Sequence, residues 1–122
     1  MMGKQNGVII ISTFANEEAA RGVSKKLVEM GLAACANLTP VRSIYTWRGR
    51  VEDQGECMAF FKTTRSSAKA LKKEIAKLHP YDVPEVVEVK MADASKPYME
   101  WLVGSTDRKA KKRHDAPKRR HP

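Results

Sequence analysis

Three ionisable side chains, Lys62, His79 and Glu85, are of types that can bind a ligand. Lys62 directly follows four apolar residues, Met58–Phe61, where a solvated lysine is not expected. It can bind an anion or pair with a carboxylate such as that of Glu85, or it can extend from a strand end into water. His79 precedes a proline, and its imidazole can ligate a metal ion or bind an anionic ligand. The favoured interpretation of His79 is structural, in which its ring donates to a free carbonyl at a helix end.

Aromatic side chains accompany these charges, and their favoured interpretation is packing and contact between subunits. A lysine, a histidine and a glutamate are costly to place near buried aromatic surface unless they pair or meet a ligand. We therefore predict that they converge on one ligand pocket in a cleft between subunits. The predicted lining is Tyr45, Trp47, Lys62, His79, Tyr81, Glu85 and Trp101.

Metal ligands are few in this sequence. His79 is the only histidine before residue 108, and a stable metal site usually needs three or four converging ligands. Cys35 and Cys57 form no CxxC pair and are predicted to be inert core thiols. A reducing compartment is the simpler interpretation of two such thiols, so we expect the protein in the cytoplasm. The apolar run Val8–Ile11 is too short for a signal segment or a membrane-spanning helix.

The positive charge is concentrated at one end of the chain. The net charge is +9, and residues 108–122 hold eight of the 23 lysines and arginines and one acid, which gives that segment +7. The other 107 residues hold 15 bases and 13 acids, a balance of +2. We predict one domain over residues 1–107 and a basic disordered tail over 108–122, since the tail has almost no apolar side chains to bury. The tail is expected to be solvated, with non-specific attraction to nucleic acid as the second interpretation. Its histidines, His114 and His121, could bind metals adventitiously.

The elements that must position these residues follow from the apolar periodicity. The first elements are a central strand at Val8–Ile11 and a helix from its cap Asn16 to Gly31. Two strands follow at Ser43–Trp47 and Cys57–Thr63, joined by a turn at Glu52–Gly55. The last elements are a helix capped by Ser66 or Ser67 and ended by Pro80, a strand at Val86–Val89, and a helix that begins at Ser95–Pro97. The order β-α-β-β-α-β plus a terminal helix is that of a ferredoxin-like α+β fold, an antiparallel sheet with both helices on one face. Apolar residues on both sides of the strands predict that the second face is an interface, and assembly through the sheets would cover it.

Two other classes of function occur on this fold. An RNA-recognition domain shares the strand order, but it needs an aromatic platform on the third strand, and the segment Glu56–Phe61 does not match that platform. The sequence also shows no nucleophile–base pair, no P-loop and no recognisable motif of paired acid and base carboxylates. We therefore predict that the protein is not an enzyme.

Four segments carry a specific resemblance. LAACANLTPVRSIYTWRGRVED at 32–53, FFKTT at 60–64, HPYDVPEVV at 79–87 and PYMEWL at 97–102 are similar, in order and spacing, to hallmark segments of the CutA divalent-cation tolerance family. The resemblance implies a ferredoxin-like subunit, a tight homotrimer with sheet contacts between subunits, and a role in tolerance to copper and other divalent metals. The alternative is a signalling or anion-sensing trimer that resembles the PII proteins in architecture, or a nucleic-acid binder acting through the tail.

The resemblance also bears on metal binding. Some bacterial members bind copper through a cysteine at the end of the first strand and two histidines before the Pro-Tyr pair. The matching positions here are Ser12, Leu78 and His79, so two of the three expected ligands are replaced. His79 alone remains as a metal ligand implied by the family.

Overall fold

The computed structural model describes residues 7–106, which form four strands and three helices. They are β1 (Gly7–Phe14), α1 (Glu17–Glu29), β2 (Cys35–Trp47), β3 (Arg50–Thr64), α2 (Arg65–Leu78), β4 (Val87–Lys90) and α3 (Lys96–Thr106). All strand pairs are antiparallel and the order in the sheet is β2-β3-β1-β4, which confirms the predicted ferredoxin-like α+β fold. The predicted tail, with His114 and His121, lies outside the described residues. Within them, no helix is both long enough and apolar enough to cross a membrane.

Strand β1 lies inside the sheet, as its β-branched sequence predicts. Alternate side chains of a strand point to opposite faces. Ile10 and Phe14 are fully buried and belong to the core that α1 and α2 cover. Ile9 and Ile11, on the other face, are only half-buried. We call this second surface the open face.

The first helix ends where its sequence signals predict. The Asn16 side chain accepts a hydrogen bond of 2.8 Å from the backbone N–H of Ala19, which caps the start of α1. Gly31 follows the helix with φ 75°, a conformation that favours glycine. The prediction for α2 was less accurate, because the helix begins at Arg65, directly after β3, and neither Ser66 nor Ser67 is its cap residue.

The turn between β2 and β3 was placed wrongly from sequence. Residues 52–55 belong to β3, and the chain reverses at Arg48 and Gly49, with φ of 53° and 79°. Two successive positive φ values are typical of the tight hairpin turns whose twist matches that of the flanking strands. Because β1 ends at Phe14, opposite Cys57, the two strands continue past it as a two-stranded ribbon. We call residues 41–56 the arm.

Helix α3 covers one end of the open face. Cys35 pairs with Lys62, which pairs with Ile9, so all three share that face. The Tyr98 hydroxyl lies 3.9 Å from the Cys35 sulfur. Cys35 is therefore half-buried beneath this helix, not deep in the core as predicted. Cys57 is buried on the helix-covered face, and burial raises the pKa of its thiol.

Candidate functional site

A cavity of about 800 Å³ lies between the arm and the segment that follows α2. Side chains at alternate positions of β2 and β3, among them Tyr45, Trp47 and Glu56, share one face of the arm. Tyr81 and Glu85 come from the segment after α2. The full lining is Thr13, Ala15, Ser43, Ile44, Tyr45, Trp47, Glu52, Gln54, Glu56, Tyr81, Asp82, Val83 and Glu85.

Two hydrogen bonds tie the walls of the cavity together. The Tyr81 hydroxyl donates to Glu56 Oε2 at 2.6 Å, and Glu56 is only 8% exposed. The Thr13 hydroxyl donates to Glu85 Oε1 at 3.2 Å. Burial raises the pKa of the Tyr81 phenol, and the hydrogen bond to Glu56 and the charge of that carboxylate raise it further. Tyr81 is therefore a neutral donor at physiological pH.

His79 lies beneath the cavity and is only 7% exposed. Its Nε2 donates to the Thr13 carbonyl at 2.7 Å, and its Nδ1 accepts from the backbone N–H of Tyr81 at 3.2 Å. These partners fix a neutral imidazole, whose ring stacks on Phe14 at 4.3 Å between centroids. Burial lowers the pKa of His79 and outweighs the Thr13 carbonyl and the Glu56 charge, which act to raise it. Neither ring nitrogen is left for a metal ion in this arrangement.

The other positions implied for copper do not complete a site. Ser12 is fully buried on the same face of β1 as Phe14, and its hydroxyl lacks the soft thiolate that copper prefers in a cysteine ligand. Leu78 is half-buried and packs against the core. Within residues 7–106, no group of three or more histidines, cysteines and acids could hold a metal ion. These residues therefore do not fit the three-ligand copper site.

Lys62 lies far from this cavity within one chain. It sits opposite Ile9 and Cys35, and its Nζ donates to Asn37 Oδ1. The partner of Glu85 is Thr13, four residues along β1 from Ile9, or about 13 Å at the rise of a strand. A direct Lys62–Glu85 pair is therefore not formed in one chain.

Trp101 lies at the same end of the sheet as Lys62. Its ring is 5.5 Å from that of Tyr98, which reaches Cys35, the β2 partner of Lys62. One chain thus brings Tyr45, Trp47, Tyr81 and Glu85 together with His79 beneath them. Convergence with Lys62 and Trp101 requires a second subunit and stays a prediction.

Sequence reasoning missed the carboxylates of the arm. Glu52, Gln54 and Glu56 alternate along β3 and therefore share its cavity-facing side. That alternation was present in the sequence but was hidden when residues 52–55 were assigned to a turn. Asp82 was also missed. The cavity lining contains four carboxylates and no lysine, arginine or histidine, so its potential is negative.

A four-stranded antiparallel sheet with α1 and α2 on one face defines the chain as a ferredoxin-like α+β protein. The family model described as "CutA1 divalent ion tolerance protein" matches residues 8–105, and the chain belongs to that family. The resemblance inferred from the four sequence segments is thereby confirmed.

Individual relatives agree with this assignment. The chain is 40% identical over 99 residues to the divalent-cation tolerance protein CutA of Thermus thermophilus, covering 80% of this chain and 96% of that protein. The solved structure of CutA from Synechococcus elongatus superimposes with a TM-score of 0.82 at 32% identity, covering 85% of this chain and 93% of that one. A structure described as the periplasmic divalent cation tolerance protein CutA from Archaeoglobus fulgidus gives a TM-score of 0.80 at 26% identity, covering 83% and 99%.

Proposed function

We propose that this chain is a non-enzymatic, homotrimeric protein of divalent-cation tolerance that binds a metal ion or small ligand in a cleft completed by a neighbouring subunit. The observation that carries the proposal is the cavity, where four residues of the predicted pocket line one concave surface. Concave sites with aromatic walls and a few placed polar groups are the usual form of ligand pockets.

Unsatisfied apolar surface supports assembly. Val87 and Val89 on the edge strand β4 are 45% and 42% exposed, and on the arm Ile44 and Val51 are 68% and 74% exposed. An edge strand with free backbone groups and a protruding ribbon with apolar side chains both favour contact with another chain. A second copy could bring its Lys62 end against the cavity of the first. Sedimentation equilibrium of the full chain is expected to give a trimer at micromolar concentration, and a monomer would contradict the proposal.

The ligands that a single chain offers a cation are oxygen atoms. Glu52, Glu56, Asp82 and Glu85 supply carboxylates at the cavity, which suit hard divalent cations. At a given site of nitrogen, oxygen or sulfur ligands, Cu²⁺ generally binds most tightly among the first-row divalent ions. Because no three such groups converge among the described residues of one chain, we propose Cu²⁺ as the first ion to test, bound by carboxylates of the cavity together with groups of a neighbouring subunit and not through Ser12 or Leu78.

Calorimetric titration of the full chain with Cu²⁺ tests this proposal. The tail histidines must be removed first, so the reference protein is H114A/H121A. In that background E52Q/E85Q is expected to weaken binding at least about tenfold, whereas E18Q/E29Q, which removes two exposed carboxylates of α1, is expected to leave the affinity unchanged. Equal affinities in the two variants would contradict a site at the cavity.

Residence in the cytoplasm is part of the proposal. The two thiols support it, since Cys35 and Cys57 lie on opposite faces of the sheet and are both free. Cell fractionation followed by immunoblotting checks the location, and recovery in an exported fraction would contradict it.

A further inference from the structure

The cavity and the end of the chain carry opposite charges. Four carboxylates line the cavity, while residues 108–122 hold eight bases and one acid. Glu52 and Asp82 have no hydrogen-bond or ion-pair partner among the described residues, so their charges are available to a cation. Complementary potentials steer and orient association. We propose that the segment Lys118–Arg120 docks into the cavity of its own chain, as an arginine-containing peptide ligand that the protein itself carries.

The walls of the cavity suit arginine in particular. A guanidinium group can stack on an aromatic face and donate two parallel hydrogen bonds to a carboxylate. Tyr45 and Trp47 are 38% and 39% exposed and line the cavity beside Glu52. The guanidinium carbon of Arg48 lies 5.4 Å from the centre of the Trp47 ring, so a tail arginine would stack on Tyr45 or on the part of the indole that faces the cavity. A lysine or a bare cation uses the carboxylates but gains less from the aromatic walls.

The length of chain after α3 favours Lys118–Arg120 as the bases that reach the cavity. Leu102 of α3 approaches Gly7 at the start of β1, and the cavity begins at Thr13, about 20 Å further along that strand. The eleven residues 107–117 can span up to about 36 Å, so Lys118 reaches the cavity without full extension. Arg108 and Lys109 lie only two and three residues after Thr106, about 7–10 Å of extended chain, and cannot reach the cavity, whereas Lys111–Arg113 reach it only when the chain is nearly fully extended.

Trp47 provides the readout, because the sequence holds two tryptophans and W101F leaves Trp47 alone. In full-length W101F, K118Q/R119Q/R120Q is expected to raise the acrylamide quenching constant of Trp47 about twofold, since a docked side chain shields its ring. The matched control K111Q/K112Q/R113Q removes the same charge from the proximal tail and is expected to leave quenching unchanged. About 0.5 M salt should reproduce the distal effect by screening. Equal quenching in both tail variants would overturn the proposal. That result is expected if the arm of a neighbouring subunit, and not the tail, shields Trp47.

A second experiment tests the cavity side of the proposal. A synthetic peptide of residues 114–122 is titrated into the distal tail variant while Trp47 emission is followed. Replacing E52Q/D82N/E85Q is expected to weaken peptide binding about tenfold, whereas E18Q/E29Q/E100Q, which removes three exposed carboxylates elsewhere, should not. Equal affinities would place the tail outside the cavity and refute the inference. If the cavity variant does not fold, the tail variants decide the question alone. Neither experiment depends on metal binding.

Discussion

Replacing Tyr81 by phenylalanine removes a single hydroxyl from a bond that the structure defines closely. That hydroxyl donates to Glu56 Oε2 at 2.6 Å, and Glu56 is 8% exposed. A hydrogen bond to a charged group contributes about 1.5–3 kcal/mol, and a buried acceptor left alone adds its desolvation cost. Because the cavity can admit water to Glu56, we take the lower end and expect Y81F to lose about 1.5–2 kcal/mol of unfolding free energy.

Urea unfolding of the full chain, at fixed protein concentration, measures this loss. The matched control is Y45F, because Tyr45 also lines the cavity but its hydroxyl bonds to no described residue. Y45F is expected to change the unfolding free energy by less than about 0.5 kcal/mol. In an E56Q background Y81F should cost less, about 0.5–1.5 kcal/mol, since the bond is then between neutral groups. Equal costs for Y81F and Y45F would refute the reasoning.

The same bond makes stability depend on alkaline pH. Burial and Glu56 raise the folded-state pKa of Tyr81 above its ordinary value of 10.0. The folded state therefore prefers the protonated phenol, and this contribution is complete below pH 10.0 and is lost as pH rises toward the folded-state pKa. The unfolding free energy of the native chain should fall more steeply above about pH 10 than that of Y81F. Parallel curves for the two proteins would contradict the assignment.

Three further predictions concern other positions. Burial lowers the folded-state pKa of His79 below 6.5, so its contribution to stability is present above pH 6.5 and is lost as pH falls through the folded-state pKa. NMR titration of the ring should give a midpoint below 6.5. A midpoint at or above 6.5 would contradict the buried neutral ring. G49A should lower the unfolding free energy by about 1 kcal/mol, because Gly49 has a φ of 79°. G55A, which also has open space at its Cβ position, should lower it clearly less. Equal losses of stability in thermal unfolding would count against a strained turn. N16A should lower the unfolding free energy by about 1 kcal/mol and N16S by much less, because serine can also cap α1. Equal losses in the two variants would show that the cap of α1 contributes nothing to stability.

Local signals identified most of the fold because most elements obey short-range rules. The cap at Asn16 and the glycine after α1 act within a single turn of helix, so their outcome does not depend on distant residues. The arm is the counterexample. Polar residues 52–55 favour a turn by composition, yet they lie in a wet two-stranded ribbon where polar side chains are tolerated on both strands. The twist-compatible turn at Arg48–Gly49 determined the register instead.

The site was less predictable because its contacts join distant parts of the chain. The preceding apolar run distinguishes Lys62 from other lysines, but its partner, Asn37, lies on the neighbouring strand and has no local signature. The pairing of Tyr81 with Glu56 likewise depends on the register of β3. Sequence patterns show which residues share a face, whereas the partner across a sheet depends on how its strands align.

His79 connects these observations, because its position explains how two walls of the cavity are joined. Its ring joins the Thr13 carbonyl of β1 to the backbone N–H of Tyr81, which anchors the segment after α2 to the end of the central strand. That anchor directs the Tyr81 hydroxyl to Glu56, while the neighbouring Thr13 side chain holds Glu85. A histidine that fixes two backbone groups in one tautomer is therefore a positioning residue for the cavity, and the negative charges it helps to place are the groups that a cation or an arginine would meet.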